Sequence, residues 1–341
     1  VHLHAYGVST TRYLQTHYRD TQSWFLFVSM VADLRNTLFV FFLVCFHLRE
    51  SVGIKLVWVA VVGDWLNLIF KWILFGERPY WWVQETPYCG DKTVLDSCSP
   101  LTGSPSGHAM SAAGVYYAMI SSLLAILLKE HGGHIKNWCV RGTLWAVFWC
   151  VQVCVCLSRV FIAAHFPHQV VAGVVTGILV AETFDRVHWI YRASLRRYVY
   201  TTLSLLSFAV GLYLVLRGLG VDLLWTLDKA QRWCQRPQWV HIDTTPFASL
   251  LRNTGTLLGL GLGLHSPLYA EARRVGGATY RLACVGATLL LLHQLDSFRP
   301  PAHTRALFYL LSFCKSATVP LATVGIVPYC VAEALQQCRY E

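Results

Sequence analysis

Charge is scarce in this chain. Only 13% of its 341 residues are Asp, Glu, Lys or Arg, where a soluble domain carries about 25%. With 55% hydrophobic content beside it, that shortage argues against the two or three soluble domains the length alone would allow. Internal repeats, low-complexity tracts and long linkers are also missing, which excludes a repeat array or a string of tethered modules. The cysteines form no CxxC pair and no His/Cys spacing suited to a metal. Cys45, Cys150, Cys154, Cys156 and Cys314 lie in apolar segments, where they read as small buried hydrophobes. Cys89 and Cys98 share one polar loop, where an oxidising compartment would allow a disulfide. No loop carries an Asn-x-Ser/Thr sequon, and the C-terminal Gln-Gln-Cys-Arg-Tyr-Glu holds no dilysine retrieval signal. No cleavable leader is read, and a start at Val1 rather than Met leaves room for an initiator segment. The net charge is +10, yet no Lys/Arg run makes a nucleic-acid patch. These cations read as loop charges that set topology, with a few reserved for a site.

What is abundant is apolar and aromatic. Thirteen Trp and sixteen Tyr suit the aromatic belts of a membrane protein. Apolar segments of roughly spanning length occur at 24–46, 53–73, 108–128, 141–158, 168–186, 199–217, 252–268, 281–295 and 306–335. A span needs about 20 such residues. The seventh is short and Gly-rich, and the last is long enough to tilt or break at Pro320. The expectation is one all-α, polytopic membrane bundle of about nine helices over residues 1–341, with 1–23 as a polar segment on the membrane surface. Loops 47–55, 129–140, 187–198 and 269–280 then share one side, and loops 74–107, 159–167, 218–251 and 296–305 the other. The connection from Arg186 through Arg192 to Arg196-Arg197 is short and basic, and Lys129, Lys136, Arg273 and Arg274 agree with it. The positive-inside rule makes that side cytosolic.

Three polar clusters stand at the edges of the spans, all on the non-cytosolic side. Lys71 and Arg78 are seven residues apart, nearly two helical turns, which predicts that both leave one helix face before Pro79 ends the helix. Ser104-Pro105-Ser106-Gly107-His108 opens the third span. The amides of a helix start bind phosphate oxygens, and Gly107 permits close backbone approach. His108 stands where it can protonate a leaving oxygen. Arg159 and His165 lie before the fifth span, which starts at Pro167. Arg grips phosphate bidentately, and a neutral imidazole can attack phosphorus. Taken singly, each cluster also reads as a snorkelling or capping group at the membrane interface. Together they supply three cations, two imidazoles and a helix start, an inventory suited to phosphoryl transfer.

In this order and spacing, Lys-x6-Arg-Pro, Pro-Ser-Gly-His and Ser-Arg-x5-His resemble the three-part signature of the type-2 phosphatidic acid phosphatase superfamily, which includes vanadium haloperoxidases. The segments starting at Asp64, Ala164, Leu223 and His241 narrow the resemblance to the glucose-6-phosphatase catalytic-subunit family, closest to its gluconeogenic liver and kidney type. The likeness runs nearly the whole chain. It implies a nine-span phosphatase of the endoplasmic reticulum membrane with a luminal site, acting on glucose 6-phosphate without metal or cofactor. A glucose-6-phosphate transporter would supply the substrate, and membrane lipid would surround the protein. Residue by residue, the resemblance makes His165 the nucleophile that carries a phosphohistidine and His108 the general acid and base. Lys71, Arg78 and Arg159, with the backbone of Ser106 and Gly107, would bind the phosphoryl oxygens. The superfamily's Asp four residues after the nucleophile is Gln169 here, so either Gln169 or another acceptor orients His165. Asp33, beside Arg35 and Asn36, reads as a contact to sugar hydroxyls, an orienting group for a catalytic cation, or part of an internal polar network. His168 and Gln169 stand near the nucleophile and are candidates for reading the sugar. Loop 218–251 reads as a lid or a structural cap. A paralogue with another sugar phosphate, a lipid phosphate phosphatase and an inactive scaffold remain the alternatives.

Overall fold

The computed structural model describes residues 2–87, 102–130, 134–223, 225–234, 245–298, 300 and 304–337. Cys89 and Cys98 lie outside the described residues. Among the described residues every regular element is helical. Among the described residues, six segments are long and apolar enough to cross a membrane: Glu50–Gln84, Gly107–Leu128, Trp138–Phe161, Pro167–Arg186, Leu195–Gly218 and Arg305–Gln337. The protein is therefore an all-α, multi-pass membrane protein.

The N-terminal segment forms helix α1 (His2–His17). The first expected span is divided. α2 (Gln22–Val31) closes with Ala32 and Asp33 bonding back to Val28 and Met30, and α3 (Leu34–Leu48) follows. A short acid whose side chain competes with the backbone suits such a break. The second span is α4 (Glu50–Leu74). It is followed by the short α5 (Pro79–Gln84), then α6 (Gly107–Glu130), α7 (His134–Phe161) and α8 (Pro167–Arg186). Beyond them come α9 (Leu195–Gly218), α10 (Trp225–Trp233), α11 (Pro246–Leu264), α12 (Pro267–Ala272) and α13 (Ala278–Ser297). The last expected span is α14 (Arg305–Leu321), a π turn over Ala322–Ile326, and α15 (Val327–Gln337). The π turn begins two residues after Pro320. Proline has no N–H to give to the turn before it, so the ladder must loosen there.

The chain folds into two compact units. The first holds residues 1–37, 62–186 and 213–246, and the second 38–61, 187–212 and 247–341. Small residues set the geometry of the first unit. Gly173 and Gly177 on α8 face α6 so closely that side chains there would strike its backbone. A Cβ on Gly173 would lie 2.6 Å from the Ser106 carbonyl, and one on Gly177 would meet the Met110 carbonyl. Helices packed without side chains between them gain dispersion contacts and hold a fixed register. Ala109, Ala113, Val160, Val170 and Val174 fill the rest of that seam. The register matters because α6 begins at the Gly107-His108 motif and α8 begins two residues after His165.

In the second unit, Trp58 bonds the Tyr198 hydroxyl at 3.4 Å and packs edge-on against Trp189. Arg197 sits 5.6 Å from the Trp189 ring centre, a cation–π contact. On α11, Gly255 and Gly259 lie against Phe313 and Ala317 of α14, and Gly263 lies against Val324 of the π turn.

Candidate active site

The C-terminal ends of α4 and α7 and the N-terminal ends of α6 and α8 gather the three clusters. Local backbone chemistry explains how. α4 ends at Leu74, earlier than the Lys71–Arg78 spacing predicts. Phe75 takes a left-handed φ of 48°, and residues 76–78 then run out of the helix to Arg78 at φ −110° and ψ 148°. Pro79 therefore starts α5 rather than ending α4, the N1 position proline favours. Lys71 and Arg78 do not share a helix face. They converge because the 76–78 segment folds back along 102–104: Gly103 N–H donates to the Gly76 carbonyl at 2.7 Å, and the Thr102 hydroxyl donates to the Lys71 carbonyl at 3.1 Å. The second bond satisfies one of the carbonyls left open at the end of α4.

α7 ends in a Schellman motif. Ala164 N–H bonds the Arg159 carbonyl, Ala163 N–H bonds the Val160 carbonyl, and Ala163 adopts φ 55°. That left-handed residue turns the chain so that His165 follows Arg159 at the same end of the bundle. A non-glycine residue there is costly, and such strain collects where geometry is demanding.

His165 Nδ1 lies 2.7 Å from the Gly103 carbonyl oxygen. A carbonyl only accepts, so Nδ1 carries the proton and Nε2 holds a free lone pair in the neutral ring. Burial, then the charges of Arg78, Arg159 and Lys71, push the imidazole well below its ordinary pKa, against the opposing pull of the Gly103 bond. Gly103, not Gln169, is thus the acceptor on the ring. Gln169 braces the loops instead. Its Oε1 accepts from Phe166 N–H at 3.0 Å and its Nε2 donates to the Glu77 carbonyl at 2.7 Å. A Cβ on Gly103 would press on the Gln169 amide at 2.8 Å, so glycine is needed between them.

The cations are held as firmly. Arg78 donates through Nη1 to the Ala164 carbonyl at 2.8 Å and through Nη2 toward the Thr102 carbonyl at 3.4 Å, so it spans both loops. Arg159 Nη1 donates to the Ser29 hydroxyl at 2.6 Å, while its buried Nε has no hydrogen bond among the described residues. Lys71 Nζ reaches the first turn of α6, 3.6 Å from where a Gly107 Cβ would stand. Arg78, Arg159 and Lys71 are 2%, 6% and 7% exposed. Three cations removed from water in one place strongly favour an anion between them. Asn67, one turn before Lys71, donates to the Pro105 carbonyl at 3.2 Å and pins the helix start.

Two expected phosphate ligands divide. The Ser106 N–H already donates to the Gln169 carbonyl at 3.0 Å, and its hydroxyl lies 3.5 Å from Ala109 N–H as an acceptor. Ser106 is thus a brace. Gly107 stands at the first position of α6, where amides lack a partner in the helix. His108 follows, with its Nε2 3.9 Å from the Asp33 carboxylate. His168 belongs to an aromatic stack at the start of α8. It stacks on Phe166 and on His4 of α1, with ring centres 5.7 and 5.5 Å apart.

Sequence reading missed Asn67, Gly103, Ser29 and Glu77. A polar residue inside an apolar span would have flagged Asn67 and Ser29. Gly103 and Glu77 act through backbone carbonyls, which no side-chain pattern reveals.

The PAP2 superfamily model matches residues 52–196, the stretch that holds all three clusters. Glucose-6-phosphatase catalytic subunit 1 of Felis catus is 57% identical over 344 residues, covering 98% of this chain and 96% of that protein. The Mus musculus protein of the same name is 56% identical with the same coverage. Glucose-6-phosphatase 2 of Homo sapiens is 46% identical over 349 residues, covering 98% of each chain. No solved structure matches the chain. With full-length identity at that level and the PAP2 match over all three clusters, the chain belongs to the glucose-6-phosphatase catalytic-subunit family of phosphoric monoester hydrolases.

Proposed function

We propose that this enzyme hydrolyses glucose 6-phosphate to glucose and inorganic phosphate through a phosphohistidine on His165. The observation that carries the proposal is the His165–Gly103 hydrogen bond. It fixes a neutral ring with Nε2 free, amid three buried cations. Lys71, Arg78, Arg159 and the Gly107 amide hold the phosphoryl oxygens. His165 Nε2 attacks phosphorus while the bond from phosphorus to the sugar O6 breaks, and His108 gives O6 its proton. Glucose leaves. His108 then takes a proton from water as the water oxygen attacks phosphorus and the phosphorus–nitrogen bond breaks, which restores both imidazoles. The cations and the α6 terminus supply the charge stabilisation that a divalent ion gives elsewhere. Asp33, close to His108, favours the charged ring that precedes the first step and is formed again in the second.

Residues 1–341 serve as one integral membrane phosphatase domain in the endoplasmic reticulum, with loops 74–107 and 159–167 catalytic and facing the lumen. Supporting this, the site residues come from the C-terminal ends of α4 and α7 and the N-terminal ends of α6 and α8, the pattern expected of loops that share one side. The reaction is the last step of gluconeogenesis and glycogenolysis, with substrate delivered by a glucose-6-phosphate transporter. The test is phosphate release from glucose 6-phosphate in detergent with a metal chelator, for wild type and His165→Ala. Release by the wild type alone supports the proposal. Equal release by both removes the nucleophile assignment. Cleavage of a lipid phosphate in place of the sugar ester keeps the chemistry and removes the substrate.

A further inference from the structure

Helix α10 lies in the long loop after α9, and one of its residues reaches the catalytic loops. Lys229 Nζ is 3.3 Å from Glu77 Oε1 and 2.7 Å from Glu85 Oε2. Trp233 Nε1 also donates to Glu85, at 2.9 Å, and Trp81 Nε1 donates to Glu77. The Trp225 ring packs edge-on to Trp81 and carries the Lys229 ammonium 5.1 Å from its centre. Burial pushes the Glu85 carboxyl up, but hydrogen bonds from Lys229 and Trp233 and the charges of Lys229 and Arg232 outweigh it and hold it below its ordinary value.

Glu77 is the residue before Arg78. Its backbone carbonyl accepts from Gln169, and it borders Gly103, the partner of the His165 ring. We propose that Lys229 is a positioning residue: it grips the Glu77 side chain and thereby holds Arg78 and the Gly103–His165 pair in register, so that α10 is a strap on the catalytic loops. The inference rests on the phosphohydrolase reading of Arg78 and His165. A half-buried lysine between two carboxylates is held by three partners, whereas an exposed pair is worth little. A lost strap frees the 76–78 segment, and a misplacement of about 1 Å can cost on the order of a hundredfold in rate.

The test uses the full chain in detergent. Lys229→Met, Lys229→Arg, Glu77→Ala and Lys229→Met/Glu77→Ala are compared by kcat/KM and by inhibition with inorganic vanadate, a mimic of the transferring phosphoryl group. Lys229→Met is expected to lower kcat/KM about tenfold and to weaken vanadate inhibition in the same proportion. Lys229→Arg should recover most of both, and the double variant should be no worse than Glu77→Ala. Vanadate inhibition unmoved by Lys229→Met, or losses that multiply in the double variant, overturn the proposal. If Lys229→Met does not fold, Lys229→Gln carries the same comparison. His165→Ala is run beside them: phosphate release by it overturns the reading of the site, and an inert His165→Ala with an unaffected Lys229→Met overturns the strap alone.

Discussion

Gly173→Ala tests whether the α6–α8 seam sets the distance between the two histidines. The added Cβ would stand 2.6 Å from the Ser106 carbonyl oxygen, 3.3 Å from Met110 N and 3.4 Å from Ala109 Cβ, with backbone in the closest contacts. Ordinary contact begins at 3.4 Å, so the oxygen contact is short by 3.4 − 2.6 = 0.8 Å. Neither helix can turn a side chain aside to relieve it, so α6 must move from α8 at its first turn. Overpacking of this kind costs about 1–3 kcal/mol in stability. The same displacement separates Gly107 and His108 from His165, and a shift near 1 Å can cost on the order of a hundredfold in rate. The expected result is a fall in kcat/KM of tens to a hundredfold, larger than the stability loss alone would give in folded protein. The assay is phosphate release at matched folded concentration, with thermal unfolding measured in parallel. Gly142→Ala is the control, since nothing lies within 4 Å of a Cβ there, and alanine in a helix interior is favoured over glycine by about 1 kcal/mol. Full activity in Gly173→Ala would refute the argument that backbone contact at Ser106 positions the site.

Further expectations follow from the loops. Gln169→Leu removes the bonds to Phe166 N–H and the Glu77 carbonyl; stranding those groups should cost about 1–3 kcal/mol and lower kcat at least tenfold. Gln169→Glu should do no better, because it sets a carboxylate against the Glu77 carbonyl, and comparing kcat for the two variants checks this. Arg78→Lys should lose nearly as much kcat/KM as Arg78→Ala, since one ammonium cannot bridge the Ala164 and Thr102 carbonyls while also holding an oxyanion; recovery of wild-type kcat/KM by lysine would contradict it. His165 remains neutral well below pH 6.5 in the free enzyme. Calculated on the substrate dianion, kcat/KM should therefore show no acid limb centred at about 6.5, the ordinary imidazole value. The linked stability term runs the same way. As pH falls through about 6.5 the unfolded chain takes up this proton and the folded chain does not, so stability is lost from there downward toward the folded pKa. Unfolding midpoints of wild type and His165→Ala between pH 7 and pH 5 should converge if this holds.

The site's side chains were legible because charge is rare here. Lys71, Arg78, His108, Arg159 and His165 stand out as polar islands at span edges, and loop alternation puts them on one side. What escaped is backbone. The Lys71–Arg78 spacing fits a helix face, but Phe75-Gly76 breaks the helix first, and proline serves a helix start as well as a stop. Gln169 stands where the superfamily has an orienting acid, yet the carbonyl of Gly103, 62 residues before His165 in the other loop, accepts from the ring. His168 is a sugar-contact candidate by its place in the sequence, and what the sequence did not show is that its ring stacks with Phe166 and His4. The division of the first span at Ala32-Asp33 places Asp33 beside His108, and hydropathy runs straight across that break.

The central claim is a covalent bond between His165 and phosphorus. The most direct measurement is rapid quenching in base of enzyme mixed with glucose 6-phosphate labelled in its phosphoryl group, followed by mapping of the bound label. The account predicts acid-labile, base-stable label on the peptide carrying His165 in the wild type, and none in His165→Ala. Label on another residue, or turnover by His165→Ala at the wild-type rate, would contradict it.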